Sequence, residues 1–322
     1  MQMKTAINAV KFSIVITTHN RLSLLQRAIN SAFAQTVACE VVVADNASSD
    51  GTEDYVRSLG DRVVYRRNAT NTNHSGAVNA GVDVATGDWI KLLDDDDYLA
   101  PNCIEEMISA IALRPQAVIC SCQAAQVNEQ EAELSQTSPA GPGKVFYIPQ
   151  ADIHYGMLLE VVPFGTPAQV AFQRDAFLRS GGWDLTMTSC DDIDSWIRIA
   201  QFGDALFINQ CLAYRTVWSG GYDQKISLLQ RRDTNILIKE RIYALIDQRY
   251  QAVVPAIEDI CRYLQLHWSI VAFKQKHFAI ALSMAFPTAF SPTAWRLLLQ
   301  AVKFRQQDAN ALSIRKEILV NV

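Results

Sequence analysis

The chain has 322 residues, of which 49% are hydrophobic, so it can form one large domain with an appendage or two domains. Its net charge of −4 is unevenly distributed: residues 1–222 hold 15 Lys and Arg against 25 Asp and Glu, whereas residues 223–322 hold 14 against 8. Residues 1–11 have no apolar core and no apolar run is long enough to span a bilayer, which argues against a signal peptide and a transmembrane protein.

The seven cysteines are odd in number and scattered along the chain. Cys120 and Cys122 are too isolated to form a zinc site with the others. This pattern predicts reduced thiols and a cytoplasmic protein.

Apolar, β-branched runs predict strands at residues 12–17, 40–44, 63–65, 89–93 and 117–122. Apolar residues at helical spacing predict helices at residues 22–35, 51–59, 75–85 and 102–113. This alternation predicts an α/β fold with a mostly parallel sheet flanked by helices.

The later part of the chain is less regular. A strand is predicted at residues 168–172, and a helix at residues 193–201 after a Gly181-Gly182-Trp183 turn. Everything after residue 222 has a helical pattern. We therefore predict a catalytic domain at residues 1–222 and a helical region at residues 223–322.

Polar residues follow three of the predicted strands, where parallel sheets bind their ligands. The first strand leads into residues 17–21 (TTHNR), the second into residues 45–51 (DNASSDG) and the fourth into four aspartates at residues 94–97. Like charges at this spacing repel, and a divalent cation is their natural partner. An acidic rim of this kind also argues against nucleic-acid binding.

Five motifs now suggest a family: SIVITTHNR, VVVADNASSDGT, NAGVDVATGDWIKLLDDDDYLAP, GGWDLTM and DDIDSWIRIAQFG occur in this order. Together they resemble the family 2 glycosyltransferases with a GT-A fold, over roughly residues 10 to 220. The resemblance implies a nucleotide-sugar donor, a divalent metal (Mn²⁺ or Mg²⁺) and inversion at the anomeric carbon.

Carried over position by position, the resemblance also implies roles for residues. Asp94 and Asp96 would bind the metal as the D-x-D motif, and Asp192 would be the catalytic base beside Asp191. Asp45 would accept a hydrogen bond from the base of the nucleotide, which favours a UDP-sugar through N3–H of uracil. The donor-binding set would be Thr17, Thr18, Asn20, Arg21, Asp45, Asn79, Asp94 and Asp95.

The sequence departs from the family pattern at two positions. Val78 stands where the family often has Arg, and Trp218 lies in the segment after Tyr214-Arg215 where the family often has a metal-binding His. One protein ligand of the metal is therefore in question.

Three functions remain open. The favoured one is transfer of a sugar to a saccharide or lipid-linked acceptor in the biosynthesis of a surface polysaccharide. The others are a nucleotidyltransferase on a similar sheet and a nucleotide-sugar-binding partner without activity. The aromatic segment around residues 268–295, with Lys274, Lys276 and Arg296, predicts one of three roles. These are a peripheral contact with the inner face of a membrane, packing on the catalytic domain, and a homodimer interface.

Overall fold

The computed structural model describes residues 10–139, 141–162, 164–218, 226–286, 288–306 and 320–321. The strands are β1 Phe12–Thr18, β2 Glu40–Asp45, β3 Val64–Arg67, β4 Trp89–Asp94, β5 Tyr98–Leu99, β6 Ala117–Val127, β7 Glu133–Gln136, β8 Val145–Ile148, β9 Val170–Gln173, β10 Asp204–Thr216 and β11 Val320–Asn321. The helices are α1 Leu22–Phe33, α2 Thr52–Ser58, α3 His74–Val84, α4 Cys103–Leu113, α5 Gln150–Leu158, α6 Arg174–Arg179, α7 Asp191–Ile199, α8 Leu228–Tyr243, α9 Ile257–Lys274, α10 Phe278–Ala285 and α11 Pro292–Gln306.

One sheet organises the first part of the chain, with the strand order β11-β8-β10-β6-β9-β4-β1-β2-β3. The pairs β1–β2, β1–β4 and β2–β3 are parallel, as the alternation of strands and helices predicts. All seven residues of β1 are buried, because helices cover both faces of its continuous apolar run. The predicted α/β fold class is confirmed.

The other half of the sheet is mixed. β9 runs antiparallel between β4 and β6, and β8 runs antiparallel to β10. The parallel pairing in the predicted, mostly parallel sheet is therefore found among β1 to β4 and between β6 and β10. The predicted strand at residues 168–172 begins later, because Pro167–Gln169 forms a 3₁₀ turn before β9.

Strand β10 has no counterpart among the predicted strands, although it has 13 residues. Its register against β6 shifts between Ile208 and Cys211 and again before Ala213. These irregularities break the apolar pattern that marks a buried strand, so the sequence signal is weak.

The chain divides into two compact units. The first comprises residues 1–150, 163–219 and 319–322, and the second comprises residues 151–162 and 220–318. The predicted boundary at residue 222 lies outside the described residues. The helical character predicted for the C-terminal region is confirmed by α8 to α11.

The second unit is built from helices that pack on one another. In α5, Asp152 accepts hydrogen bonds from Arg249 Nη2 at 2.6 Å and Tyr250 Oη at 2.5 Å. Leu266 of α9 packs with Ala294 and Leu298 of α11. Of the helices in the described part of the chain, none is both long and apolar enough to cross a bilayer. All seven cysteines are free thiols.

Candidate active site

The site begins at the carboxyl ends of the parallel strands. In the register of the sheet, Thr17 lies beside Asp94, and Thr18 lies beside Asp45. Three polar loops, after β1, β2 and β4, therefore start from one edge of the sheet.

The four aspartates after β4 alternate in exposure. Asp95 and Asp97 are each 4% exposed, whereas Asp94 and Asp96 are partly open to solvent. Asp95 accepts a hydrogen bond from Thr18 Oγ1 at 2.8 Å, and Asp97 accepts one from the backbone N–H of Thr216 at 2.9 Å. The two buried carboxylates thus anchor the loop, and the other two face the open edge.

Asp96 is held by two donors in this structure. Arg21 Nη1 donates to Asp96 Oδ2 at 2.9 Å, and Trp218 Nε1 donates to the same oxygen at 2.9 Å. Burial, followed by the charge of Asp94, raises the pKa of Asp96. Trp218 therefore contacts Asp96 where the family pattern suggests a metal-binding His, and its indole N–H can only donate, so it could not ligate a metal.

His74, at the start of α3, connects two acidic groups. Its Nε2 lies 2.9 Å from Asp94 Oδ1, and its Nδ1 lies 3.8 Å from Asp191 Oδ2. Burial acts to lower the pKa of His74, but the two carboxylates outweigh it and raise that pKa well above its ordinary value. The imidazolium places one positive charge between the aspartate loop after β4 and the acidic start of α7.

Asp191 and Asp192 are adjacent in sequence but have different partners. Asp191 Oδ2 accepts a hydrogen bond from Ser75 Oγ at 2.9 Å. Although burial opposes ionisation, His74 and Ser75 lower the pKa of Asp191. Asp192 Oδ1 accepts only the backbone N–H of Ile193, at 2.8 Å, from the described residues.

The pKa of Asp192 is raised to about 6, mainly by burial and then by the charge of Asp191. A carboxylate with this pKa is ionised at neutral pH and is more basic than an ordinary aspartate. Of the two, Asp192 is therefore better suited to accept a proton.

Asn79 supports the Gly181-Gly182-Trp183 turn that precedes α7. Gly181 and Gly182 have φ values of 88° and 72°, which favour glycine, and a Cβ on Gly182 would lie 2.8 Å from Asn79 Oδ1. Asn79 accepts from the N–H of Trp183 at 2.8 Å and donates to its carbonyl at 2.9 Å. Both ends of the Asn79 amide thus hold this turn, and its contact with the donor stays a prediction.

Two other predicted donor-binding residues are also engaged by the protein. Asp45 is fully buried and accepts from the N–H of Ser48 at 2.8 Å and from Tyr65 Oη at 2.6 Å. Asn20, with φ of 54°, accepts from the N–H of Ser49 at 2.7 Å. Asp45 can therefore accept a hydrogen bond from a nucleotide only through a free lone pair, or after the Ser48 N–H or the Tyr65 hydroxyl has moved away.

The contacts that His74 and Trp218 make in the site are not evident from the sequence. These contacts join segments that are far apart in the chain, because His74 contacts Asp191 and Trp218 donates a hydrogen bond to Asp96. A signal was present for His74, since it directly precedes the helix predicted at residues 75–85.

The carboxylates at this edge match the oxygen ligands that Mg²⁺ and Mn²⁺ take. Asp94 and Asp96 are the two carboxylates of this loop that are partly open to solvent. Within the described residues, no three His, Cys, Asp or Glu side chains are arranged to hold a metal. The chain therefore fits a metal held by two carboxylates, with the remaining ligands from substrate or water.

Relatives in sequence support an enzyme that transfers sugars. An uncharacterized glycosyltransferase of Rickettsia prowazekii is 26% identical over 239 residues, which cover 68% of this chain and 73% of that protein. A GalNAc(5)-diNAcBac-PP-undecaprenol β-1,3-glucosyltransferase of Campylobacter jejuni is 35% identical over 103 residues, covering 30% of this chain and 33% of that protein.

Solved structures share the fold. S. aureus TarS 1–349 in complex with UDP-GlcNAc is 16% identical, with a TM-score of 0.60, covering 94% of this chain and 81% of that one. The mannosyltransferase PcManGT from Pyrobaculum calidifontis, in complex with GDP-Man and Mn²⁺, is 18% identical with a TM-score of 0.58, covering 94% and 86%. The profile of glycosyl transferase family 2 matches residues 13–180, which is more than half of the chain, and the chain therefore belongs to that family.

Proposed function

We propose that the chain is an inverting, metal-dependent glycosyltransferase that moves a sugar from a nucleoside-diphosphate donor to a hydroxyl group of a saccharide or lipid-linked acceptor. Family membership supports the transfer of a sugar. It also disfavours the alternative of a nucleotidyltransferase. We assign the reaction to the biosynthesis of a surface polysaccharide in the cytoplasm and place the site within residues 1–222.

The observation that carries this proposal is the pairing of two acidic groups through His74. Asp94 lies 2.9 Å from one ring nitrogen and Asp191 lies 3.8 Å from the other. Transfer of a sugar needs neutralisation of charge at the leaving diphosphate and removal of a proton from the acceptor. The carboxylates of the D-x-D loop would serve the first task by holding a metal. A carboxylate at the start of α7 would serve the second.

Asp94 and Asp96 would hold the metal, which when bound stabilises the negative charge that develops on the leaving diphosphate. Arg21 would add a positive charge from the same loop edge once its contact with Asp96 is exchanged. Thr17 supports Asp94 by donating to its Oδ1 at 3.0 Å. These residues fix the orientation of the D-x-D carboxylates before the donor binds.

Asp192 would accept the proton of the acceptor hydroxyl. Its Oδ1 is fixed by the N–H of Ile193, and its pKa of about 6 leaves it ionised at neutral pH. Asp191 would set the orientation of His74 and raise the basicity of its neighbour. Inversion follows if the acceptor attacks from the face opposite the leaving diphosphate.

For the donor we favour a UDP-sugar. Asp45 is the last residue of β2 at the same edge, and a carboxylate there can accept from uracil N3–H. Guanine and thymine also present an N–H at this edge, so GDP- and dTDP-sugars are the competing donors. The similarity to a glucosyltransferase named for an undecaprenol-linked saccharide supports a lipid-linked acceptor.

The test is a screen of nucleotide-sugars with Mn²⁺, Mg²⁺ or excess chelator, in which release of the nucleoside diphosphate is measured. We expect metal-dependent release with one donor, and an inverted anomeric centre in the product by NMR. A chain that binds the donor but releases nothing with any acceptor pool would instead be the inactive partner. Full activity in excess chelator would show that the transfer does not depend on a metal.

A further inference from the structure

The end of α9, all of α10 and the start of α11 present large apolar side chains to solvent. Phe278 is 58% exposed, Leu282 69%, Phe286 73% and Phe290 86%, so these side chains are not part of a core. Phe273 and Trp295, on the flanking helices, are 62% and 43% exposed. We call these six residues the aromatic face.

Helix α10 has the opposite pattern from a helix on the surface of a water-soluble domain. Phe278 and Leu282, with Phe286 at its end, recur every four residues and so share one side of the helix. That side is exposed, whereas the buried side holds the smaller Ala281 together with Met284. The larger apolar residues therefore point away from the packed interior, which marks a binding surface.

The charge around this face has a single sign. Residues 260–307 contain six Lys and Arg and no Asp or Glu. Lys274, Lys276 and Arg296 are exposed beside the aromatic face. Among the ion pairs of the described residues, none involves these three cations, so they are available to an anionic partner.

We propose that the aromatic face binds the surface of an anionic lipid bilayer. Exposed aromatic residues enter the interface between headgroups and acyl chains, while neighbouring Lys and Arg contact the lipid phosphates. This requires only that α10 lies along the membrane. It is independent of the proposed reaction, because it needs neither donor nor acceptor.

The charge distribution favours lipid over the two other occupants. A two-fold contact between copies would bring Lys274, Lys276 and Arg296 of one chain against the same cations of the other, which repel. A nucleic acid would pair with the cations but would leave Leu282 and the ring edges of the phenylalanines without an apolar partner. A bilayer surface provides phosphates for the cations and an apolar layer for the large side chains.

The experiment is sedimentation of the full chain with vesicles of neutral phosphatidylcholine or of phosphatidylcholine mixed with phosphatidylglycerol. The net charge of −4 predicts repulsion by anionic vesicles, so binding to them must come from a local surface. We expect binding to the anionic vesicles that falls as salt is raised.

A double variant of the aromatic face and a matched control variant locate the binding surface. Phe286→Ser with Phe290→Ser should weaken anionic-vesicle binding by about tenfold or more, because both side chains leave the interface. The matched control, Leu134→Ser with Val253→Ser, removes side chains that are 58% and 67% exposed elsewhere and should bind normally.

A second pair tests the charge. Lys274→Gln with Lys276→Gln should weaken binding by about tenfold, since each cation contributes near the surface. Arg57→Gln with Arg179→Gln changes the net charge equally, and should leave binding unchanged. Equal losses in the control variants, or no vesicle binding at all, would overturn the proposal. A dimer in sedimentation velocity that dissociates in the Phe variant, without vesicle binding, would show that the face joins two copies.

Discussion

At the scale of single residues, two neighbouring carboxylates differ in their surroundings. Asp192→Asn keeps the shape of the side chain but removes its proton affinity, so we expect turnover to fall by about 10²- to 10⁴-fold while donor binding survives. Steady-state kinetics and titration of the nucleotide measure the two effects separately. If Asp191→Asn is more damaging to turnover than Asp192→Asn, the base is misassigned.

The pH dependence gives a second measure of the base. Because the pKa of Asp192 is about 6, the protonated, inactive form dominates below that pH. We expect kcat/KM to fall as pH drops through about 6. The charge of Asp191 raises this pKa, so the active Asp191→Asn variant should show its acid limb at lower pH. If the acid limb of the pH profile is unchanged in Asp191→Asn, Asp192 is not the group whose protonation causes it.

His74 should act as a positioning residue. His74→Ala removes the donor to Asp94 and the positive charge that lowers the pKa of Asp192. We expect kcat/KM to fall and the acid limb of the pH profile to move to higher pH. His74→Gln keeps one N–H donor, and should recover part of the kcat/KM without restoring the limb. A loss of activity with no movement of the limb in either variant would leave His74 with a structural role alone.

Asp96 provides the test of the metal. Asp96→Asn should remove the Mn²⁺ dependence of nucleotide binding and abolish transfer, because an amide is a weaker ligand than a carboxylate. Its thermal midpoint should change little, since its partners Arg21 and Trp218 can bind water. Asp175→Asn, at an exposed carboxylate, is the control. Mn²⁺-dependent binding that persists in Asp96→Asn, measured by calorimetry, would exclude Asp96 as a ligand.

At the scale of elements, β10 completes the site. It was not predicted, yet it carries Thr216, whose N–H binds Asp97, and leads to Trp218, which binds Asp96. Arg27 of α1 bridges this strand to the aspartate loop, since Nη2 donates to Thr216 Oγ1 at 2.7 Å and to the carbonyl of Asp96. The loop is thus oriented by a helix and a strand from distant parts of the chain.

The centre of β4 contains a fully buried lysine. Lys91 Nζ donates to the carbonyls of Leu92 at 3.1 Å and Pro167 at 3.3 Å, and also to that of Ala168. It therefore ties the 3₁₀ turn before β9 to β4. Burial lowers the pKa of Lys91, which is the cost of placing an ammonium group in the core.

We expect Lys91→Ala to lower the free energy of unfolding by about 2–4 kcal/mol, because it leaves buried carbonyls without a donor and removes the packed stem. Lys91→Met keeps much of the stem and should cost less. Denaturant unfolding measures both, with the exposed Lys144→Met as control. A Lys91→Ala variant as stable as the parent would show that these carbonyls find other partners.

At the scale of the whole molecule, nucleotide binding should stabilise the fold. A ligand at about 100 times its Kd adds about 2.7 kcal/mol to the stability of the unit that binds it. We expect UDP with Mn²⁺ to raise the thermal midpoint by several degrees and CDP to raise it less, because cytosine lacks the N3–H that Asp45 would accept. Equal shifts by both nucleotides at equal concentration would leave Asp45 without its proposed role.

The sequence by itself determined the fold class and the edge of the sheet that carries the candidate site. Continuous apolar strands followed by polar loops are local patterns, and parallel pairing brings their carboxyl ends together without knowledge of other contacts. The five ordered motifs likewise indicated the family that the profile match establishes. The exposure of Asp94 to Asp97 alternates as well, but Asp95 and Asp96 form a turn in which the N–H of Asp97 donates to the carbonyl of Asp94 at 3.0 Å, so an extended strand does not explain it.

Only the tertiary structure decided how those residues are arranged. Asp94 and Asp191 are separated by about one hundred positions, and their shared contact with His74 depends on how α3 and α7 pack at the sheet edge. The same is true of the unequal basicity of Asp191 and Asp192 and of the exposed side of α10. Burial and long-range contacts arise from the packing of the whole chain, and no local pattern of residues encodes them.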